Sequence, residues 1–525
     1  MIMGVMSLKK SFILVLIFTL ALTVVGCGGG GGGKKSSSQP YSLPLNVKDV
    51  AMKNGTGTLT IITNDTLKEL IAIPYNLSMT AGNYSTTVSI NADTGLKAIY
   101  SFNTKTPQRQ SKSLNHAYQQ RSREVVKKLL NHRPVHYYRS HNKISAAAKV
   151  QSELNSLEFW KPIENHFGEI ERYDKITATK MYESEHCVIY LDDSEKDLTH
   201  LKKNNIAQIG VKFDQFRDLL EQNFGSADGV LGDIDGNRRI FILLTELPHD
   251  PINDAYLAGV YYNVNDYRNS DLLETGLKDK SNEKEMLYVT TLKSPKWTEE
   301  YWIKLVQSII AHEYQHLINF NNRIGAWKSA EDYFAEIWIS EGLSMIAEDL
   351  AMSGKPRTQS ESNVERVLSY LNNPAASSLC TWEYSLADYA PAYMFMRYFV
   401  DRYQESSIKK LIQSKKVGKD IFTDVSGLSF NTIFPDWLAA VAFSSQNYLI
   451  DSRLHYQTLN LALPGYALNY YTGKEITIPD TSGVFIRKDV SNCNKITIKV
   501  NGDPNFKLRL LLIPKEGKGL SVTYQ

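Results

Sequence analysis

Cysteine is scarce in this 525-residue chain: there are four, at Cys27, Cys187, Cys380 and Cys493. No CxxC pair and no Cys/His cluster occurs, which excludes both a disulfide scaffold and a thiolate-built structural metal site. An excess of one charge is lacking as well. The 59 basic and 56 acidic residues leave a net charge of +3, too small to imply a nucleic-acid partner. Beyond about residue 25 no apolar run approaches the roughly 20 residues that cross a bilayer. What remains is a globular composition, 42% hydrophobic and 22% charged. The chain is long enough for about two to four domains.

The first residues are of a different kind. In "MIMGVMSLKKSFILVLIFTLALTVVGCGGG" the pair Lys9 and Lys10 precedes an apolar run from Phe12 to Val25. This is the pattern of an export signal over residues 1–26 rather than of a stop-transfer helix. The run ends in Val24-Val25-Gly26-Cys27, which resembles a bacterial lipobox. That resemblance implies cleavage before Cys27 and acylation of this cysteine, palmitate among its chains, and several acyl chains give stable membrane anchoring. The alternative is a plain secretory signal with an incidental cysteine. Residues 27–45, opening "CGGGGGGKKSSSQP", read as a flexible tether. Gly28 is no obvious inner-membrane retention signal, so the expected location is the outer membrane or cell surface.

Residues 46–104 hold the β-branched runs "GTLTIITN", "TTVSINA" and "KAIYSFN" between turn signals, which predicts a small β-sandwich-like module. Residues 105–150 are rich in Lys, Arg and His, with Glu124 their only acid, and read as a basic connector. Residues 151–465 are mixed. "HCVIYLDD" and "RRIFILLTEL" predict buried strands, with a helix between them that ends at Gly225, and helices dominate from about 296 to 447. "GDIDGNRR" (232–239) resembles part of a calcium loop but lacks the full run of oxygen ligands and the distal Glu of an EF-hand. As a turn rich in Asp, Gly and Asn it needs no metal. Residues 466–525, with "KEITIPD", "NKITIKV" and "LRLLLIP", predict a second β module.

The chemistry-bearing stretch is "SIIAHEYQHLINF", residues 308–320. Thr298 is placed to cap a helix through it, and Glu299 and Glu300 suit the dipole of its first turn. Trp302, Leu305, Val306, Ile309, Ile310 and Leu317 recur at helical spacing, so one broad stripe is buried. His312 and His316, four apart, project from one face and can reach one zinc ion at about 2.0–2.1 Å. Glu313 lies about 100° around the helix, near enough to address a water there without being a ligand. An HExxH triplet by itself also fits an ordinary amphipathic helix. Here it interrupts an apolar face, where polar groups without partners are costly. A returning helix, "AEIWISEGLSMIAEDL" (335–350), supplies Glu341 as third ligand. Glu348, two turns on, shares that face and can fix a ligand ring by accepting its N–H.

"AHEYQH" followed by "WISEGLSMIAED" resembles the gluzincin metallopeptidases, whose third zinc ligand is the glutamate of an N-E-G-like motif. With "LGDIDGNRRIFILLT" and "SNEKEMLYVTT", the chain more narrowly resembles the hyicolysin-type secreted bacterial metallopeptidases over about residues 180–450. "DIDGN" and "SNEKEM" have no chemistry assigned. Ser340 departs from the Asn common in the broader group, which leaves the ligand set intact and substrate contacts at that position open. The resemblance implies a multidomain chain whose α+β zincin-like metallopeptidase domain has a mostly helical C-terminal lobe and holds one catalytic Zn2+. It also implies an electrophilic tyrosine opening a later helix. In "DYAPAYMFMRYFVDRY" (388–403) Tyr389 aligns with it, with Tyr393 and Tyr384 as rivals.

The expected activity is zinc-dependent endopeptidase chemistry on a protein or peptide substrate, with Glu313 as base and then acid. The aminopeptidase relatives carry a G-x-M-E-N motif before HExxH, and no such motif precedes Ala311. The expected partners are that substrate and a membrane reached through Cys27. One alternative is a binding lipoprotein that keeps the fold without its chemistry. Another is a latent enzyme whose residues 46–150 cover the cleft. Its block would be steric, because Cys27 is the only cysteine before the peptidase region.

Overall fold

The computed structural model describes residues 41–79, 85–103, 127–130, 153–164, 170–250, 255–273, 275–353, 361–383, 385–473 and 475–525. The export signal with Cys27, most of the tether, most of the connector and Tyr384 lie outside the described residues.

A six-stranded mixed sheet frames the middle of the chain. Its order is Gly259–Tyr261, Met286–Thr290, Ile240–Thr245, Cys187–Asp192, Ile170–Glu183 and Ser156–Glu164. Met286–Thr290, Ile240–Thr245 and Cys187–Asp192 run parallel and are buried throughout, as their unbroken apolar runs require. The outer hairpin Ser156–Glu164 and Ile170–Glu183 went unforeseen, because charged residues interrupt it and leave no continuous apolar run. Side chains alternate between two cores. Ile189, Ile242 and Val289 pack with the helices Lys203–Phe224 and Glu299–Arg323. Tyr190, Phe241 and Tyr288 face a second core with Val264, Tyr267 and Leu272.

The helix Glu299–Arg323 carries both histidines, and the Thr298 hydroxyl accepts the Tyr301 amide at 3.1 Å to cap it. Its last residue, Arg323, donates to both oxygens of buried Glu336, at 3.0 and 2.6 Å, and to the carbonyls of Ser414 and Lys416. That pair fixes the turn into the return helix Ile337–Ser353. The tyrosine helix Leu386–Tyr403 packs closely on the return helix at Gly342, where a Cβ would lie 3.1 Å from both the Ala392 carbonyl and Met396 Cβ. The glycine after Glu341 therefore has a packing reason.

The two β modules expected at either end of the described chain are one structure. In one sheet Leu67–Asn76 lies between Phe506–Pro514 and the strands Ser482–Gly483 and Ile486–Asp489. In the other, Lys495–Gly502 lies between Ser85–Ala92 and Thr56–Ile62. Ile61, Val88, Phe102, Ile498, Leu510 and Leu512 fill the space between the sheets. Strand patterning specifies which face is buried and not which strand is the neighbour, so the sequence could not show this interleaving. Ile71, Ile73, Tyr75 and Leu511, on the other face of the first sheet, join the helical core. Asp436 on the helix Phe430–Ser445 clamps that junction, accepting from Arg509 at 2.6 Å and Arg402 at 2.7 Å.

Candidate active site

The helix periodicity and the loop between the two helices bring His312, His316 and Glu341 together. His312 Nε2 lies 3.1 Å and His316 Nε2 3.6 Å from Glu341 Oε2. One ligand atom from each of the three residues lies within 4.8 Å of the others. Bonds of about 2.0–2.1 Å in a tetrahedral arrangement separate ligand atoms by roughly 3.3 Å, which these distances bracket. Both rings are held from behind. His312 Nδ1 donates to Glu348 Oε1 at 2.7 Å, and His316 Nδ1 meets the hydroxyls of Ser340 at 3.0 Å and Ser344 at 3.2 Å. The Nε2 atoms therefore face Glu341, as a cation held by all three residues would require.

Glu348 is gripped in turn by Arg366 at 2.9 and 3.0 Å and by the Ser308 hydroxyl at 3.2 Å. Burial opposes its charge, but Arg366 and His312 outweigh burial and hold its pKa at about 2. Burial likewise works against a charged His312, yet Glu341 and Glu348 raise the ring to about 10. A divalent cation is the other positive charge that two buried carboxylates can favour at Nε2. The donor set, two imidazoles and a carboxylate with every Nδ1 occupied, fits zinc.

Glu313 is buried beside this cluster and accepts the Tyr261 amide at 2.9 Å, from the outer strand of the central sheet. Burial raises its carboxyl above the ordinary range, which favours uptake of a proton there. That strand approaches at Gly259, where a Cβ would lie 2.4 Å from Ile309 Cγ2 and 2.9 Å from Glu313 Cγ. Two cavities, of about 130 and 520 Å³, open from the site, and Gly259, His312, Glu313 and Tyr389 line both. Glu341 and Ser340 border the smaller, and Arg366 and Glu348 the larger.

Tyr389 thus stands where the two cavities meet. Its ring packs edge-on against Trp382 at 5.0 Å, and burial raises its pKa, with Glu341 adding to the effect, so its hydroxyl stays protonated as a donor. Its rival Tyr393 is fully buried and donates to Asp349 at 2.8 Å, in a structural network with Arg397. Sequence reasoning missed the serines behind His316, Arg366 behind Glu348, and the strand carrying Gly259. Ser340, noted only as a departure from Asn, is a ring partner. The "SEGLS" spacing put both serines on the Glu341 helix, but which ring they reach depends on helix packing.

The arrangement is the class of site that suits metal-dependent hydrolysis. Among known proteins, the chain is 25% identical over 265 residues to the neutral metalloprotease ShpI of Staphylococcus hyicus. The match covers 48% of this chain and 53% of ShpI, so the chain spans about half the length of that curated relative. No protein-family model matches the chain.

Proposed function

We propose that the protein is a zinc-dependent endopeptidase of the gluzincin, hyicolysin-like kind, with a zincin-like catalytic domain. The carrying observation is the meeting of His312, His316 and Glu341 beside buried Glu313, in a cleft that continues on both sides. The similarity to ShpI supports metalloprotease chemistry. Zinc bound by the three residues would supply Lewis acidity, polarising a peptide carbonyl and acidifying water. Glu313 takes the proton of the attacking water and passes it to the leaving amine. Tyr389 donates to the oxygen on which charge develops. The outer strand Gly259–Tyr261 offers backbone groups to an extended peptide, aligning its scissile bond with the ligand helix. A cleft open on both sides of Glu313 suits cleavage within a chain.

The same proposal includes export and a lipid anchor at Cys27, resting on the signal-like residues 1–26 and the lipobox resemblance; loss of palmitate labelling in Cys27→Ser tests it. Among the described residues, none of 46–103 borders either cavity. The deciding assay is casein cleavage by residues 45–525, with and without a zinc chelator, beside Glu313→Gln. Chelator-sensitive cleavage that Glu313→Gln lacks, in a variant with unchanged zinc content, is the expected result. A zinc-loaded, folded wild type that cleaves neither casein nor peptides would instead favour a binding lipoprotein.

A further inference from the structure

The two stretches with no assigned chemistry, "DIDGN" and "SNEKEM", meet in the fold. One carboxylate oxygen from each of Asp233, Asp235 and Glu285 lies within 4.8 Å of the others. Glu285 immediately precedes the strand Met286–Thr290, and the Asp turn precedes its parallel neighbour Ile240–Thr245, so the cluster sits where two central strands begin.

We propose that Asp233, Asp235 and Glu285 form a second cation site, of calcium type, that staples this turn to the central sheet. The strongest sign is Glu285. It is 3% exposed, and its Oε1 accepts the Ile234 amide at 2.7 Å while Oε2 has no hydrogen-bond partner among the described residues. An unpaired buried carboxylate oxygen beside two more carboxylates is costly unless a cation or proton answers it. The other two acids are already oriented. Asp233 accepts the amides of Gly236 at 2.8 Å and Arg238 at 3.0 Å, and Asp235 accepts the Asn237 amide at 3.3 Å. Asp235 Oδ2 also accepts from the Asn237 side chain at 2.9 Å and from Lys284 Nζ at 3.2 Å. Lys284 is thus a built-in competitor for the site. Oxygen-only donors from carboxylates suit a hard cation, and flexible coordination with added water favours calcium over magnesium. The sequence lacks the distal glutamate of a calcium loop; the fold supplies one from the next strand.

The test uses calcium chloride as the probe on the full chain after treatment with a calcium-selective chelator that leaves zinc in place. Calorimetry should show one calcium bound with a Kd of about 10⁻⁴–10⁻³ M or tighter, and calcium should raise the thermal midpoint. Asp235→Asn should weaken binding at least about tenfold, and Lys284→Gln should tighten it, both in folded protein of unchanged zinc content. No heat and no shift at saturating calcium would overturn the proposal. So would equal calcium response in wild type and Asp235→Asn, and so would a Glu285→Gln variant more stable than wild type in calcium, which would mark a shared proton. None of these readouts depends on peptidase activity.

Discussion

At the scale of single residues, Gly259 lets the outer strand come close against Glu313. A Cβ there overlaps Ile309 and the Glu313 side chain, so Gly259→Ala must displace the strand or the glutamate. Peptidase activity should fall at least about tenfold through kcat while zinc content stays at the wild-type level. Equal kcat in a folded variant would show that the strand does not position Glu313. Asp266 gives a pH prediction. It is buried, accepts from the Tyr261 hydroxyl, and burial raises its pKa to about 7. The folded state then holds this proton more tightly than the unfolded chain, whose Asp titrates near 3.9. The stability from the protonated form is complete below about pH 4 and is lost as pH rises to about 7, on the order of 4 kcal/mol. Denaturant unfolding with calcium chelated should therefore show the gap between wild type and Asp266→Asn moving against wild type across that window. Parallel pH curves would contradict the assignment.

At the scale of elements, the ligand helix and the return helix are joined through Arg323 and Glu336. Glu336 also accepts from Trp327 Nε1 at 2.9 Å and the Gly418 amide at 3.2 Å, so the pair organises the whole turn. Arg323→Met would leave Glu336 buried and unpaired, at a cost of about 3–5 kcal/mol. The double variant Arg323→Met with Glu336→Leu should recover much of that loss, because the uncompensated charge goes with the glutamate. A single variant that costs less than about 1 kcal/mol in urea unfolding would show that the pair is not the hinge of this junction. The start of the ligand helix and the end of the earlier helix were legible. Thr298, the apolar spacing and the acidic first turn all mark the ligand helix, and Gly225 closes the earlier one with φ +114°. The hairpin Ser156–Glu164 and Ile170–Glu183 was not legible, since an edge pair with charges on its outer face lacks the run that marks a buried strand.

At the scale of the whole molecule, the two ends of the described chain build one sandwich that rests on the helical lobe. Arg509 reaches Asp49 at 2.7 Å and Asp436 at 2.6 Å, joining an early strand, a late strand and a helix. Removing residues 475–525 would leave Leu67–Asn76 without its neighbours on either side and take the Arg509 guanidinium away from buried Asp436. The truncated protein should aggregate or lose its cooperative unfolding transition, as light scattering and calorimetry would show. A soluble, cooperatively folding truncation would mean that the late strands are an appended module after all.

The sequence by itself determined the ligand helix, the spacing of His312, Glu313 and His316, the return helix with Glu341 and Glu348, and the buried central strands. These are local matters of helical period, capping and apolar patterning, each read within a few turns of chain. Only the tertiary structure decided that Ser340 and Ser344 stand behind His316, that Gly259 brings an edge strand against Glu313, that Glu285 joins Asp233 and Asp235, and that two distant β segments interleave. Each of those depends on which elements become neighbours, and a pattern that specifies a buried face leaves the partner of that face unnamed.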